Sequence, residues 1–141
     1  GSYRLSEFNA RLGLESFKNL DSEIKTRMYF ASILNDGLLN SSVRISSFSH
    51  LESFSCYKLI CSIENTSGAE IESKLKEHSI YCGGAVYRKG CHMQPVFADI
   101  KAPRLPNTEK FCYEHFCVPL HSGLSESDIQ RLLSVLLICN N

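Results

Sequence analysis

No sign of charge dominates this chain. Fifteen basic side chains balance fifteen acidic ones over 141 residues. Net charge therefore offers no reason to expect nucleic acid or an anionic membrane as partner. Long apolar runs are also missing. The longest, Leu132 to Cys139, is interrupted by Ser134 and falls far short of the ~20 residues a spanning helix needs; it reads as a buried helix face. There is no signal-peptide pattern, and Gly1-Ser2 reads as a cloning remnant, set aside from fold reasoning. No internal repeat or low-complexity tract is evident. Proline is scarce, and three of the four, Pro95, Pro103 and Pro106, punctuate one stretch.

Cysteine is plentiful, with seven at positions 56, 61, 82, 91, 112, 117 and 139. The number is odd and no Cys-x-x-Cys pair occurs, so the paired spacing by which two ligands grip a structural zinc from one turn is absent. Most lie among apolar neighbours, as in YKLICSI and HFCVPL. They read as reduced thiols acting as small core hydrophobes in a cytosolic protein. Cys91-His92 is the one cysteine-histidine neighbour pair. Adjacent residues do not normally form a nucleophile-base pair, because the base must face the thiol within hydrogen-bond reach, so a cysteine-dependent enzyme ranks last among the functional readings.

Hydrophobic residues make up 43% and charged residues 21%, the balance of one globular domain with a real core. Residues 5 to 34 carry a helical period through Leu5, Phe8, Leu12, Phe17, Leu20, Ile24, Met28 and Leu34, with a bend expected near Gly13 or Leu20. Asn35-Asp36-Gly37 reads as its stop. Residues 40 to 55 are serine-rich loop with a short strand at Val43 to Ile45. CYKLICSI, Cys56 to Ile63, is the clearest strand, central by its β-branched and aromatic content. A turn at Asn65 to Gly68 leads into a helix burying Ile71 and Leu75, and Ser79 to Cys82 reads as a second strand. The strand-turn-helix-strand run would set those two strands side by side.

Residues 85 to 106 have little periodicity, and long irregular segments in compact domains often carry function. Leu105 to Leu133 reads as a helix at Thr108 to Tyr113, a strand at Phe116 to Leu120 that Pro119 confines to an edge or an end, a turn, and a helix capped by Ser125 with Asp128 at N3. Ile129, Leu132, Leu133, Leu136 and Leu137 form the buried stripe expected of that helix. The fold class is α+β: a small, mostly antiparallel sheet of three or four strands packed by helices, with a long N-terminal helix. Residues 3–38 read as a connecting helix region and 39–141 as a small C-terminal domain.

Four segments, in order, resemble the DegT/DnrJ/EryC1/StrS family of vitamin-B6-dependent nucleotide-sugar aminotransferases. Tyr3 to Asp21, YRLSEFNARLGLESFKNLD, is similar to the helix that follows the family's cofactor lysine, N-[FY]-R-[ML]-[ST]-E-[LI]-x-A-A-x-G-L. CYKLICSI is similar to the central strand of the family's small domain. Tyr87 to Phe97, YRKGCHMQPVF, resembles a tyrosine-led loop ending in H-x-Q-P-x-[FY], with His92, Gln94, Pro95 and Phe97 fitting. VPLHSGLSESDIQRLL resembles the terminal L-P-[LI]-[HY]-P-x-[LM]-[ST]-x-x-D-[IV] segment. Together they cover nearly the whole chain.

The resemblance implies the small domain of a fold-type I aminotransferase that works as a dimer. In the intact protein it implies pyridoxal phosphate held as a Schiff base by a lysine on a large domain, an aspartate against the pyridine nitrogen, and a nucleotide-linked keto-sugar as substrate. The lysine lies before the Asn-[Phe/Tyr]-Arg motif, and here Ser2 stands where the family has its asparagine. None of the eight lysines matches the family's position. The chain alone is therefore expected to be inactive and to hold no cofactor. By resemblance Tyr87, His92, Gln94 and Arg4 border the substrate cleft; a tyrosine ring can stack on sugar or base and an imidazole can hydrogen-bond phosphate or hydroxyl. His121 is expected to order the turn before the last helix. Gly83-Gly84 and Ser122 depart from the family's bulkier polar residues and proline. The alternative is a non-catalytic binding or structural module derived from the same family. In either case the face of Leu5, Phe8, Leu12 and Phe17 would normally rest on the large domain, and without it the chain should self-associate through this helix, or its N-terminal section should be disordered or rearranged.

Overall fold

The computed structural model describes residues 5–46, 55–100 and 103–139. Among them are five α-helices and one three-stranded antiparallel sheet, in the order α1 (Glu7–Lys18), α2 (Leu20–Leu38), β1 (Val43–Ile45), β2 (Leu59–Ile63), α3 (Gly68–Glu77), α4 (Pro106–Glu114), β3 (His115–Val118) and α5 (Glu126–Ile138). This is the α+β class expected.

The N-terminal stripe becomes two helices. The Ser6 hydroxyl accepts from the Asn9 N–H at 3.2 Å and starts α1. The break falls at Asn19, beside Leu20, where the N–H turns back to Phe17 and Ser16 carbonyls; Gly13 stays inside α1. The expected stop at Asn35-Asp36-Gly37 does not occur, and α2 runs through it to Leu38. Gly37 instead lies under the Leu133 side chain of α5, which fills the space a Cβ would need. Phe30, Ala31, Leu34 and Leu38 turn the later part of α2 into the core. Tyr29 ties the same helix to α5, its hydroxyl donating to Glu126 at 2.8 Å.

β2 is central, as its composition predicts, flanked by β1 and β3. Its register pairs Ile45 with Cys61 on one side and Ser62 with His115 on the other. Leu59, Cys61 and Ile63 alternate inward. The strand expected at Ser79 to Cys82 does not form. Ser79 adopts a φ of 58°, its N–H returns to the Lys76 carbonyl, and the Ile80 N–H returns to Leu75. Those two bonds end α3 in the doubly bonded C-terminal turn that a left-handed residue makes possible. The place beside β2 goes to β3.

The core joins α2, α3, α5 and one face of the sheet around Leu34, Ile71, Leu75, Phe116, Ile129 and Leu136, all essentially without exposure. Each such side chain contributes about 1.5–3 kcal/mol through burial. α5 starts as its sequence dictates: Ser125 accepts from the Asp128 N–H at 3.2 Å and Asp128 accepts from the Ser125 N–H at 2.8 Å. The Ser125 hydroxyl, donating to the Asp128 carboxylate at 2.6 Å, and then the Ser125 N–H hold that carboxyl below the usual carboxylate range. Val135 takes the buried place expected of Leu137, which is 40% exposed.

Gly68 opens α3 against the next strand. A Cβ there would be driven into the His115 carbonyl and to 2.8 Å from the Arg88 guanidinium. Alanine in a helix normally gains about 0.5–1 kcal/mol over glycine, but forcing atoms into packed backbone costs about 1–3 kcal/mol. Gly68→Ala should therefore lower the urea midpoint. Gly37→Ala, which meets only the end of the Leu133 side chain, should lower it less.

Candidate functional site

Between α3 and α4 in the chain runs a segment whose described residues from Ile80 to Ile100 form no α-helix or strand. It contains two single turns of 3-10 helix, Cys91–Met93 and Pro95–Phe97. Gly84, at a φ of 77°, provides its first bend, and its carbonyl faces the Lys58 ammonium at 3.4 Å.

Arg88 ties the segment to the body. One guanidinium nitrogen donates to the His115 carbonyl at 2.7 Å. The other pairs with the half-buried Glu72 of α3 at 2.6 Å. Charge-assisted bonds of this length are stronger than neutral ones, so this pair anchors the loop. Val86 and Tyr87 present their N–H groups to the His115 ring at 2.9 and 3.3 Å.

The candidate residues take separate roles within this frame. Tyr87 is 66% exposed. His92 turns inward, its Nε2 3.2 Å from a Glu109 oxygen. Glu109 also accepts from the Leu105 N–H at 3.2 Å and lies 3.5 Å from Arg104. The hydrogen bond from His92, followed by that from Leu105, holds the Glu109 carboxyl below its ordinary range. The His92 ring also crowds Gly90, which has no room for a Cβ. Gln94 donates to the Lys89 carbonyl at 3.2 Å and closes the same turn. His92 and Gln94 thus order the loop, while Tyr87 is the one whose side chain is offered outward. Arg4 lies outside the described residues. His121 is exposed beside Gly123, where a Cβ would sit 3.2 Å from its ring.

Two residues that sequence reasoning missed hold the surroundings. His115 is fully buried at the start of β3, and Glu114 is 7% exposed. Glu114 accepts from the Asn65 N–H at 2.6 Å and holds the left-handed turn between β2 and α3, where Asn65 has a φ of 59°. The available signal was two polar residues, Glu114-His115, entering the apolar strand FCV.

An open cleft of about 360 Å³ lies at the end of the sheet. Tyr57, Lys58, Tyr81 and His121 line it, and no lining residue carries a carboxylate. Among the described residues, no group of three or more histidine, cysteine or acidic side chains is placed to hold a metal ion, and no helix is long and apolar enough to cross a membrane.

Cys56, Cys61, Cys112 and Cys117 are buried, Cys82 and Cys139 partly so, and Cys91 is exposed. Burial pushes the thiols of Cys56, Cys61, Cys117 and Cys139 up, and that of Cys82 up to about 12. These are the environments of inert packing thiols rather than of activated nucleophiles. With a maleimide reagent under native conditions, Cys91 should label first and alone. The buried cysteines should label only on unfolding, as read by peptide mass spectrometry.

A model of the DegT/DnrJ/EryC1/StrS aminotransferase family matches residues 1–137. Among solved structures, the chain is similar to the aminotransferase TlmJ from Streptoalloteichus hindustanus, with a TM-score of 0.84 and 19% identity over 98% of this chain and 37% of that one. It is similar to a DegT DnrJ EryC1 StrS aminotransferase from Brucella abortus, with a TM-score of 0.84 and 23% identity over 98% and 36%. It is also similar to Helicobacter pylori PseC, an aminotransferase involved in the biosynthesis of pseudoaminic acid, with a TM-score of 0.86 and 17% identity over 99% and 38%. At these identities the likeness shows the fold. The chain spans little more than a third of each of these proteins. No curated protein matches it.

Proposed function

Because this chain belongs to the DegT/DnrJ/EryC1/StrS aminotransferase family, we propose that it is the C-terminal small domain of a pyridoxal-phosphate-dependent aminotransferase acting on nucleotide-linked keto-sugars. The observation that carries the reading is coverage: 98% of this chain aligns with 37% of TlmJ. The rest of such an enzyme is a large domain bearing the coenzyme, and this chain borders the cleft from the other side. Residues 3–38 connect the two parts, and residues 39–141 form the small domain. The intact enzyme is cytoplasmic and dimeric in this reading.

Pyridoxal phosphate does not fit the cleft at the end of the sheet. Holding it takes a lysine for the Schiff base and an acid for the ring nitrogen. Lys58 lines that cleft without a carboxylate. In this reading the family's lysine and aspartate belong to the large domain, and this chain neither binds the coenzyme nor transaminates. Its contribution is the loop of Tyr87, His92 and Gln94. Tyr87 presents an aromatic face to sugar or base, and the other two side chains keep the loop in shape.

Adding pyridoxal phosphate to the 141-residue chain should produce no stoichiometric aldimine band; a stoichiometric band that borohydride removes would overturn the assignment. The full reading frame, by contrast, should show such a band and transfer an amino group to a nucleotide-linked keto-sugar.

α1 supplies the second test. It has no buried residue, and Leu5, Phe8, Leu12 and Phe17 beside it or on it are between 52% and 73% exposed. In the intact enzyme the large domain covers this face. In its absence a second copy of the chain is the available cover. The isolated chain should self-associate in light scattering, and Phe8→Glu with Phe17→Glu should return it to a monomer. A clean monomer with strong exchange protection along residues 5 to 17 would count against the exposed-face reading.

A further inference from the structure

His115 sits at the junction of α4 and β3 with 0% exposure. Its ring stacks on Phe111, with centroids 4.4 Å apart and an interplanar angle of 4°. Nδ1 lies 2.7 Å from the Phe111 carbonyl oxygen. Nε2 lies 2.9 Å from the Val86 nitrogen and 3.3 Å from the Tyr87 nitrogen. A carbonyl oxygen only accepts and an amide N–H only donates. One state of the ring satisfies all three contacts: neutral, with its proton on Nδ1 and its lone pair on Nε2.

We propose that this imidazole is a proton-sensitive latch on the loop that carries Tyr87, His92 and Gln94. A proton from solvent binding the Nε2 lone pair turns that nitrogen from acceptor to donor. It then faces two N–H donors across a buried contact, and both hydrogen bonds to it break. No covalent bond of the chain changes. Val86 and Tyr87 must turn their N–H groups away, and the Tyr87 ring moves with them.

The charges around the ring do not cancel the added proton. Arg88 is positive and contacts the His115 carbonyl, not the ring. Glu72, on α3, is engaged by Arg88. Glu114 turns its carboxylate to the Asn65 N–H, with the Lys110 ammonium 3.9 Å away. Across the sheet the register partner is Ser62, which carries no charge. Burial pushes the neighbouring thiols of Cys82 and Cys117 up, so they stay neutral. The Arg88 bonds survive protonation of the ring, so the release is local and pivots at Arg88.

The test is a pH titration of the isotope-labelled 141-residue chain by NMR, from about pH 8 down to the acid limit at which the fold as a whole is lost. At the upper end the ring nitrogens should report the Nδ1–H tautomer. As the ring protonates, amide protection at Val86 and Tyr87 should fall about tenfold, the scale of one ordinary hydrogen bond, while α5 keeps its protection. His115→Gln retains an acceptor without a titrating proton, so it should keep both amides protected at every pH. Should that variant not fold, the unmodified chain decides alone. An Nε2–H tautomer, a ring that stays neutral throughout, unchanged protection on protonation, or a Gln variant with undiminished pH dependence would each overturn the latch.

Discussion

α3 can begin hard against β3 because residue 68 has no side chain. That contact sets the His115 carbonyl where the Arg88 guanidinium reaches it while still pairing with Glu72. Helix, strand and loop therefore share one small volume with no room for another carbon atom. The loop has almost no hydrogen-bonded ladder of its own. Its shape derives from this meeting point and from the bonds of its two amides to the His115 ring. Without a close-packed joint there, Tyr87 would hang from a chain with many conformations. Ordering it would then cost roughly 1–2 kcal/mol for each backbone residue fixed.

The elements that were legible in the amino-acid order are those whose cause is local. Ser125 and Asp128 cap α5 because both partners lie within one turn. Val43 to Ile45 and the core of CYKLICSI are strands, and apolar residues at alternating positions, Val43 and Ile45 in one, Leu59, Cys61 and Ile63 in the other, explain both. The exposed face of α1 was legible because its apolar residues recur at helical spacing with nothing in a domain of this size to cover them. Errors arose where the deciding atoms are distant in sequence. Gly37 reads as a stop, yet its function is to admit Leu133, almost a hundred positions away. Ser79 to Cys82 has the composition of a strand, but the left-handed turn at Ser79 belongs to α3, and β3 pairs with β2 in its stead.

The candidate site divides in the same way. Its loop was visible as an irregular, proline-punctuated stretch, and its resemblance to a family pattern named His92 and Gln94. That His92 faces Glu109 of α4 is a contact only the fold supplies, whereas Gln94 bonds Lys89 within its own turn. His115 left only a faint trace, the polar pair Glu114-His115 running into an apolar strand, and a histidine there has many bland explanations. Its standing follows from three partners, two of them 28 and 29 positions upstream.

α1 pairs both of its cations internally, Arg11 with Glu15 at 3.2 Å and Lys18 with Glu15 at 2.9 Å. What it offers a neighbour is mostly carbon. A union made through this helix would accordingly show a large negative heat-capacity change, tighten on moderate warming from the cold and tolerate salt that dissolves charged contacts. The two parts of such an enzyme would be joined less by recognition of charge than by a shared aversion to water.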